Sequence, residues 1–283
     1  MIKGKPFVKW AGGKRQIIDI LKKYVPDEFN TYYEPFVGGG ALLFELSPKK
    51  AVINDSNKEL MNVYECIKDA KKFELMCREL NHHETEHSEE YYYQIRNLDR
   101  DKKKYQKIID YKRAARTIYL NKACFNGLYR VNRKGYYNVP FGKHSKPTIC
   151  DTDNLLKISE TLQNVTMRSC DYHDVLNFAD ENTFVYIDPP YRPLNATSGF
   201  TSYTEDQFND QNQIELADVY QKLTAMGAKV MLSNSDPHNV DENDNFFDDL
   251  YADFTILRVD ATRVINSKAS SRGKIKELLI KNY

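Results

Sequence analysis

The chain has 283 residues, 41% of them hydrophobic and 12% aromatic, with 41 basic and 40 acidic side chains for a net charge of +1. That is enough apolar material for a well-buried core in one large domain or two. No apolar run reaches the roughly 18 residues of a membrane-spanning helix, and Met1–Lys5 lacks the apolar core of a secretion signal, so a membrane partner is not expected.

Residues 6–14 open with an aromatic, a Gly12-Gly13 turn and Lys14. Apolar residues at 17, 18, 20, 21 and 24 then have helical spacing. A glycine turn at a helix amino terminus suits an anionic group, carboxylate or phosphate alike. The next stretch, Thr31 to Ala41, reads as strand, glycine-rich turn (Gly38-Gly39-Gly40) and helix. Leu43 stands where a third fingerprint glycine would be, which weakens a phosphate cradle. Ala51 to Asp55 is a second strand ending in an acid, 17 residues after Gly38, where α/β nucleotide sites hold a ribose hydroxyl.

From Ser56 to about Gln163 the strand–helix alternation stops, and helices are expected over 57–69, 71–80, 89–100 and 105–124. Residues 96–146 hold 15 basic and 3 acidic side chains, an electrostatic footprint for a polyanion. Residues 125–142 give a hairpin signal with Gly135 at the turn. Its Arg, Asn and Leu side chains can fork onto guanine, pair with adenine or wedge between base steps. His83-Glu84-Thr85-Glu86-His87 formally matches the zinc-protease pattern. Polar surroundings and the lack of a third ligand make it a solvated connection between helices instead, and no metal site is expected.

The alternation resumes with Val165 to Tyr172, a strand ending in Asp171. Thr183 to Ile187 is a buried strand leading into Asp188-Pro189-Pro190-Tyr191. Two prolines remove two N–H donors and keep the local carbonyls out of an ordinary ladder. An acid, free carbonyls and an aromatic face are what hold the amino group of a planar base. Residues 193–206 read as a polar loop able to close over a substrate, followed by a helix over 207–226 and strands at 228–235, 254–257 and 277–280. Asn266 to Lys274 reads as a mobile basic stretch. Five cysteines with no Cys-x-x-Cys predict reduced thiols in a cytoplasm.

Asp55, Asp171 and Asp188 each close an expected strand and would line one crevice with the Gly38 turn. Acids around a site favour a cation, and a sulfonium nucleoside fits that charge better than a dinucleotide or ATP. Rival readings are a silent DNA-binding module, an RNA or free-nucleobase methyltransferase, and a nicotinamide oxidoreductase. With the motifs Phe7–Lys14, Pro35–Gly40, Asn126–Arg130, Asn138–Gly142 and Asp188–Tyr191 in that order, the chain resembles adenine-N6 DNA methyltransferases of the Dam type. The resemblance implies a Rossmann-like α/β methyltransferase sheet with an inserted, mainly helical DNA-recognition domain carrying a β-hairpin. The corresponding division is residues 1–56 and 164–283 for catalysis and 57–163 for recognition. It further implies that Trp10, Lys14, Phe36, Gly38, Asp55, Asp171 and Asp188 bind S-adenosylmethionine. Asp188, Pro189 and Tyr191 would be catalytic. Lys9, Phe125, Asn126, Leu128, Arg130 and Pro140 would contact double-stranded DNA, with Arg130 on a guanine of GATC. Phe125 would fill the space left by a flipped adenine. A monomer acting at the nucleoid is expected, and the loop 262–273 departs most from the family pattern.

Overall fold

The computed structural model describes residues 3–192, 208–262 and 274–283. The expected loops at 193–206 and 262–273, and nearly all of the stretch 266–274, lie outside the described residues.

A seven-stranded sheet runs in the order β3-β2-β1-β4-β5-β7-β6. Its strands are β1 (Thr31–Glu34), β2 (Ala51–Asn54), β3 (Val165–Arg168), β4 (Thr183–Ile187), β5 (Lys229–Ser235), β6 (Thr255–Thr262) and β7 (Lys274–Lys281). Strands β1 to β5 pair in parallel, while β7 lies antiparallel between β5 and β6. β4 is buried along its whole length, which is why it reads as an unbroken apolar run. Alternate residues serve opposite faces. Tyr32, Ile53, Phe184, Tyr186 and Met231 enter one core, and Tyr33, Val52, Val185, Ile187 and Val230 the other.

The helices are α1 (Ile18–Lys23), α2 (Ala41–Leu46), α3 (Lys58–Lys68), α4 (Ala70–Thr85), α5 (Glu89–Arg96), α6 (Lys102–Tyr105), α7 (Asp110–Ala123), α8 (Thr152–Leu162), α9 (Asp210–Ala225) and α10 (Phe246–Leu250). Leu216, Val219, Tyr220 and Leu223 of α9 and Phe247 of α10 cover one face of the sheet. Leu60, Val63 and Tyr64 of α3, Leu80 of α4, Ile118 of α7 and Ile158 of α8 share a single core with the other. Asn57 and Asp69 cap α3 and α4 by accepting from Leu60 and Lys72 N–H.

Four expectations are corrected. The helix expected over 105–124 is two helices, α6 and α7, broken at 106–109. The hairpin over 125–142 is a ribbon with isolated bridges, Val131 to Tyr137 and Cys124 to Phe141, rather than paired strands. Asn132 folds its tip by accepting the N–H groups of Lys134 and Tyr136. The stretch His83 to His87 is no solvated connection. His83 is 5% exposed in the last turns of α4, stacked on Tyr119 and bonded to Tyr91 Oη, and burial lowers its pKa to about 4. His87 is bonded to Tyr119 Oη and the His144 carbonyl, and among the described residues no group of three or more side chains could hold a metal. Finally, the basic block is not all surface. Arg116 is 6% exposed and paired with Asp99, which also takes Arg100. Among the described residues no helix is long and apolar enough to cross a membrane.

Candidate active site

The strand order reverses direction between β1 and β4, and α/β sheets bind ligands beyond the carboxyl ends of the strands at such a point. β1 delivers Pro35–Gly40 to it and β4 delivers Asp188. Lys14, brought from the opening turn, forms an ion pair of 2.8 Å with Asp188 Oδ1 and is 4% exposed. Ser233 at the end of β5 donates to the same oxygen at 3.0 Å, and Tyr186 Oη is 3.0 Å from that hydroxyl. Burial raises the Asp188 pKa, and Lys14 is the strongest opposing influence. The ammonium also donates to the Gly12 carbonyl and lies 4.5 Å from the centre of the Tyr191 ring. Tyr191 Oη donates to Glu277 Oε2 at 2.9 Å, and burial raises the Glu277 pKa as well.

The two proline carbonyls have different fates. Pro190 O accepts from Gln213 Nε2, and the Gln213 carbonyl oxygen in turn accepts from Asn234. That carbonyl therefore braces the turn, and among the described residues no donor to Pro189 O is seen. Burial raises the pKa of Glu34, at the end of β1, more than the hydrogen bond it accepts from Tyr32 lowers it.

Asp55 fixes the glycine turn by accepting the Gly38 N–H at 3.1 Å and the Asn57 N–H at 2.9 Å. Burial pushes its pKa up to about 6. Gly38 has φ +47°, and a Cβ there would stand 2.7 Å from the Trp10 ring. Tyr64 Oη donates to the Gly38 carbonyl, and Trp10 packs on Tyr129 with centroids 5.1 Å apart. Asn54 links two strand ends, donating to the Pro35 and Cys170 carbonyls and accepting from Cys170 N–H. Phe36 meets Tyr172 at 5.2 Å and Phe208 at 6.0 Å, a flat apolar wall beside the turn. Asp171 differs from the other two acids. It is 69% exposed and caps the turn after β3, bonded to His173.

The ribbon meets the turn through Tyr129, which packs on Trp10. Asn121 ties the opening segment to the ribbon, accepting from Lys9 N–H and donating to the Lys9 and Gly127 carbonyls. Phe125 is 51% exposed, and its N–H donates to the Pro140 carbonyl. Asn126 is exposed with φ 57°, and Leu128 and Arg130 are half-buried. Arg130 Nε donates to Asn138 Oδ1 at 2.7 Å, which fixes the guanidinium plane. A cleft of about 480 Å³ is lined by Lys9, Lys122, Lys143, His144 and Lys146 among others, none of them in the Asp188 cluster.

Ser233, Glu277, Asn54, Gln213 and Tyr64 were missed as site residues by sequence reasoning. Ser233 had a signal, a polar run at a strand end. Glu277 had none before the register was known, which pairs it with Ser235.

The geometry fits what comparison finds. Residues 10–265 match the family described as D12 class N6 adenine-specific DNA methyltransferase. The chain is 46% identical to the type II methyltransferase M.MjaIII of Methanocaldococcus jannaschii, over 99% of both chains. It is 44% identical to the type II methyltransferase M1.LlaDCHI of Lactococcus lactis subsp. cremoris, over 99% of this chain and 95% of that one. It is 34% identical to the DNA adenine methylase of Escherichia coli K12, again over 99% and 95%. The chain belongs to the D12 class of N6 adenine-specific DNA methyltransferases.

Proposed function

We propose that this DNA adenine methyltransferase acts on an adenine rotated out of duplex GATC, with S-adenosylmethionine as the methyl donor. The observation that carries the reading is the half-buried constellation of Asp188, Tyr191 and Glu277 around the buried Lys14, beside the Gly38 turn. Two carboxyl groups, Asp188 and Glu277, flank a single ammonium there, which suits a ligand bearing positive charge. Phe36, Trp10 and the glycine turn supply flat and close-approach surfaces for its nucleoside, with Asp55 at the turn. Asp171, exposed beside Tyr172, would act at the mouth.

S-adenosylmethionine brings a methyl group on a positively charged sulfur. The amine that takes it is a poor nucleophile, because its lone pair is conjugated into the purine ring. Asp188 and the Pro189 carbonyl accept its two N–H bonds and turn that lone pair away from the ring. Lys14 and Ser233 both hold Asp188 Oδ1, so the free edge of the carboxylate is oriented before the base arrives. Tyr191, held through its hydroxyl by Glu277, stacks on the base. The raised proton affinity of Asp188 suits it to take the proton the amine gives up. Positioning and electrostatics supply most of the acceleration.

An adenine inside a duplex is out of reach, so the base must leave the stack. Phe125 is exposed where it can fill the gap. Arg130, its plane set by Asn138, reads a guanine, with Lys9, Asn126, Leu128 and Pro140 around it. The chain works as a monomer at the nucleoid in this reading.

The test is methylation of a random-sequence duplex pool with S-adenosylmethionine, followed by reading which adenines are modified. Modification confined to GATC is expected. Modification at another motif would overturn the specificity and leave the chemistry standing.

A further inference from the structure

Away from the site, two cysteines meet, the thiol of one against the backbone of the other. Cys77 is buried on α4, and Cys150 is half-buried in the segment leading into α8. The Cys150 Sγ lies 3.8 Å from the Cys77 carbonyl oxygen and 3.4 Å from Thr152 Oγ1. The backbone around Cys150 is anchored. Glu84 Oε2 accepts the N–H groups of Ile149 and Cys150 at 2.8 and 3.0 Å, and Ile149 is 1% exposed. The closeness of the two cysteines is therefore built into the packing of α4 against this segment. Hydrogen bonds from Cys77 and Thr152 hold the Cys150 thiol below the ordinary range, which enriches the reactive thiolate. Cys66 and Cys124 are buried, and Cys170 is engaged with Asn54.

We propose that Cys77 and Cys150 form an oxidation site that a peroxide converts reversibly into a disulfide joining α4 to the segment before α8. The Cys150 thiolate attacks one peroxide oxygen, the O–O bond breaks as Cys150 becomes a sulfenic acid, and the hydroxide released takes up the proton the Cys150 thiol gave up and leaves as water. Cys77 Sγ then attacks that sulfur and forms the S–S bond. The expelled hydroxide takes the Cys77 proton and departs as the second water. Two thiols lose two electrons in all, hydrogen peroxide accepts them, and a small dithiol reverses the change. The tied segment follows directly on Lys143, His144 and Lys146, which line the basic cleft. Oxidation thus acts on one wall of the surface expected to face DNA.

The intact protein is treated with graded hydrogen peroxide, alkylated, and mapped by mass spectrometry after trypsin digestion without reduction. The expected product links peptide 73–78 to peptide 144–157, is two hydrogens lighter than their sum, and disappears with dithiothreitol. Cys77→Ala should abolish the link and leave a dimedone-reactive sulfenic acid at Cys150. A peptide 144–157 driven to sulfinic acid while peptide 73–78 stays fully alkylated would overturn the proposal. So would linkage of either peptide to one bearing Cys66, Cys124 or Cys170.

Discussion

Replacing Lys14 by Met removes a positive charge from a carboxylate 2.8 Å away while keeping an unbranched side chain of similar reach. At that separation, with an effective dielectric constant of about 20, the pair attracts by about 6 kcal/mol before desolvation is subtracted. A neighbouring opposite charge depresses a carboxyl pKa by about 1–3 units in practice, because burying both groups cancels much of the attraction. Burial already raises the Asp188 pKa, and Lys14 is what chiefly opposes it. Lys14→Met should therefore move the acid limb of methyl transfer upward by about 1–3 pH units, each worth roughly 1.4 kcal/mol. At pH values below the original limb that is a loss of about tenfold to a thousandfold, recovering as the pH rises. The assay is single-turnover transfer of labelled methyl groups to duplex DNA at saturating S-adenosylmethionine, from about pH 6 to 10. A fractional loss that is the same at every pH would refute the reasoning and make Lys14 a ligand-binding residue only.

Asp188→Asn keeps the shape of the side chain but donates where it must accept. Turnover should fall by about 10²–10³ while DNA affinity, measured by fluorescence anisotropy, changes little; equal losses would remove Asp188 from the chemistry. Arg130→Ala should relax discrimination at one guanine by about 1–3 kcal/mol in competition between substituted duplexes. A uniform loss on all sequences would make it a phosphate contact. Gly38→Ala has to take φ +47° and meets the Trp10 ring, so the fluorescence of this single tryptophan should shift and stability should fall by about 1–3 kcal/mol. An unchanged spectrum would mean that the turn yields freely. His83, held neutral by burial with its pKa lowered to about 4, takes a proton more readily when unfolded. Its contribution is present above pH of about 6.5 and is lost as pH falls towards 4, about 3 kcal/mol in all. In His83→Gln the urea midpoint should fall less steeply over that range, and equal slopes would exclude the titration.

β2 and β4 were legible because each is a short, fully buried run stopped by an acid, and burial on both faces forces such runs. Asp188 and the Gly38 turn were legible for the same reason, since ligands meet α/β sheets at strand ends. The Lys14–Asp188 pair was not, because nothing local couples residues so far apart in sequence. Glu277 joined the site only through an antiparallel register. The charge count over 96–146 overstated the surface, as Arg116 turned inward to a buried Asp99. The His83 motif misled in the other direction. Polar neighbours on one face of α4 hid a histidine packed on Tyr119.

The place of β7 in the sheet has a consequence for biosynthesis. β6 pairs only with β7, and β7 fills the space between β6 and β5. A ribosome therefore releases β1 to β5, with Asp188 and Tyr191, before the strand that carries Glu277 exists. During that interval β5 presents an open edge and Tyr191 has no carboxylate to hold its hydroxyl. The contact between Glu277 and Tyr191 forms only once the β6–β7 pair docks on β5, so the last hydrogen bond of the Asp188 cluster waits on closure of the sheet.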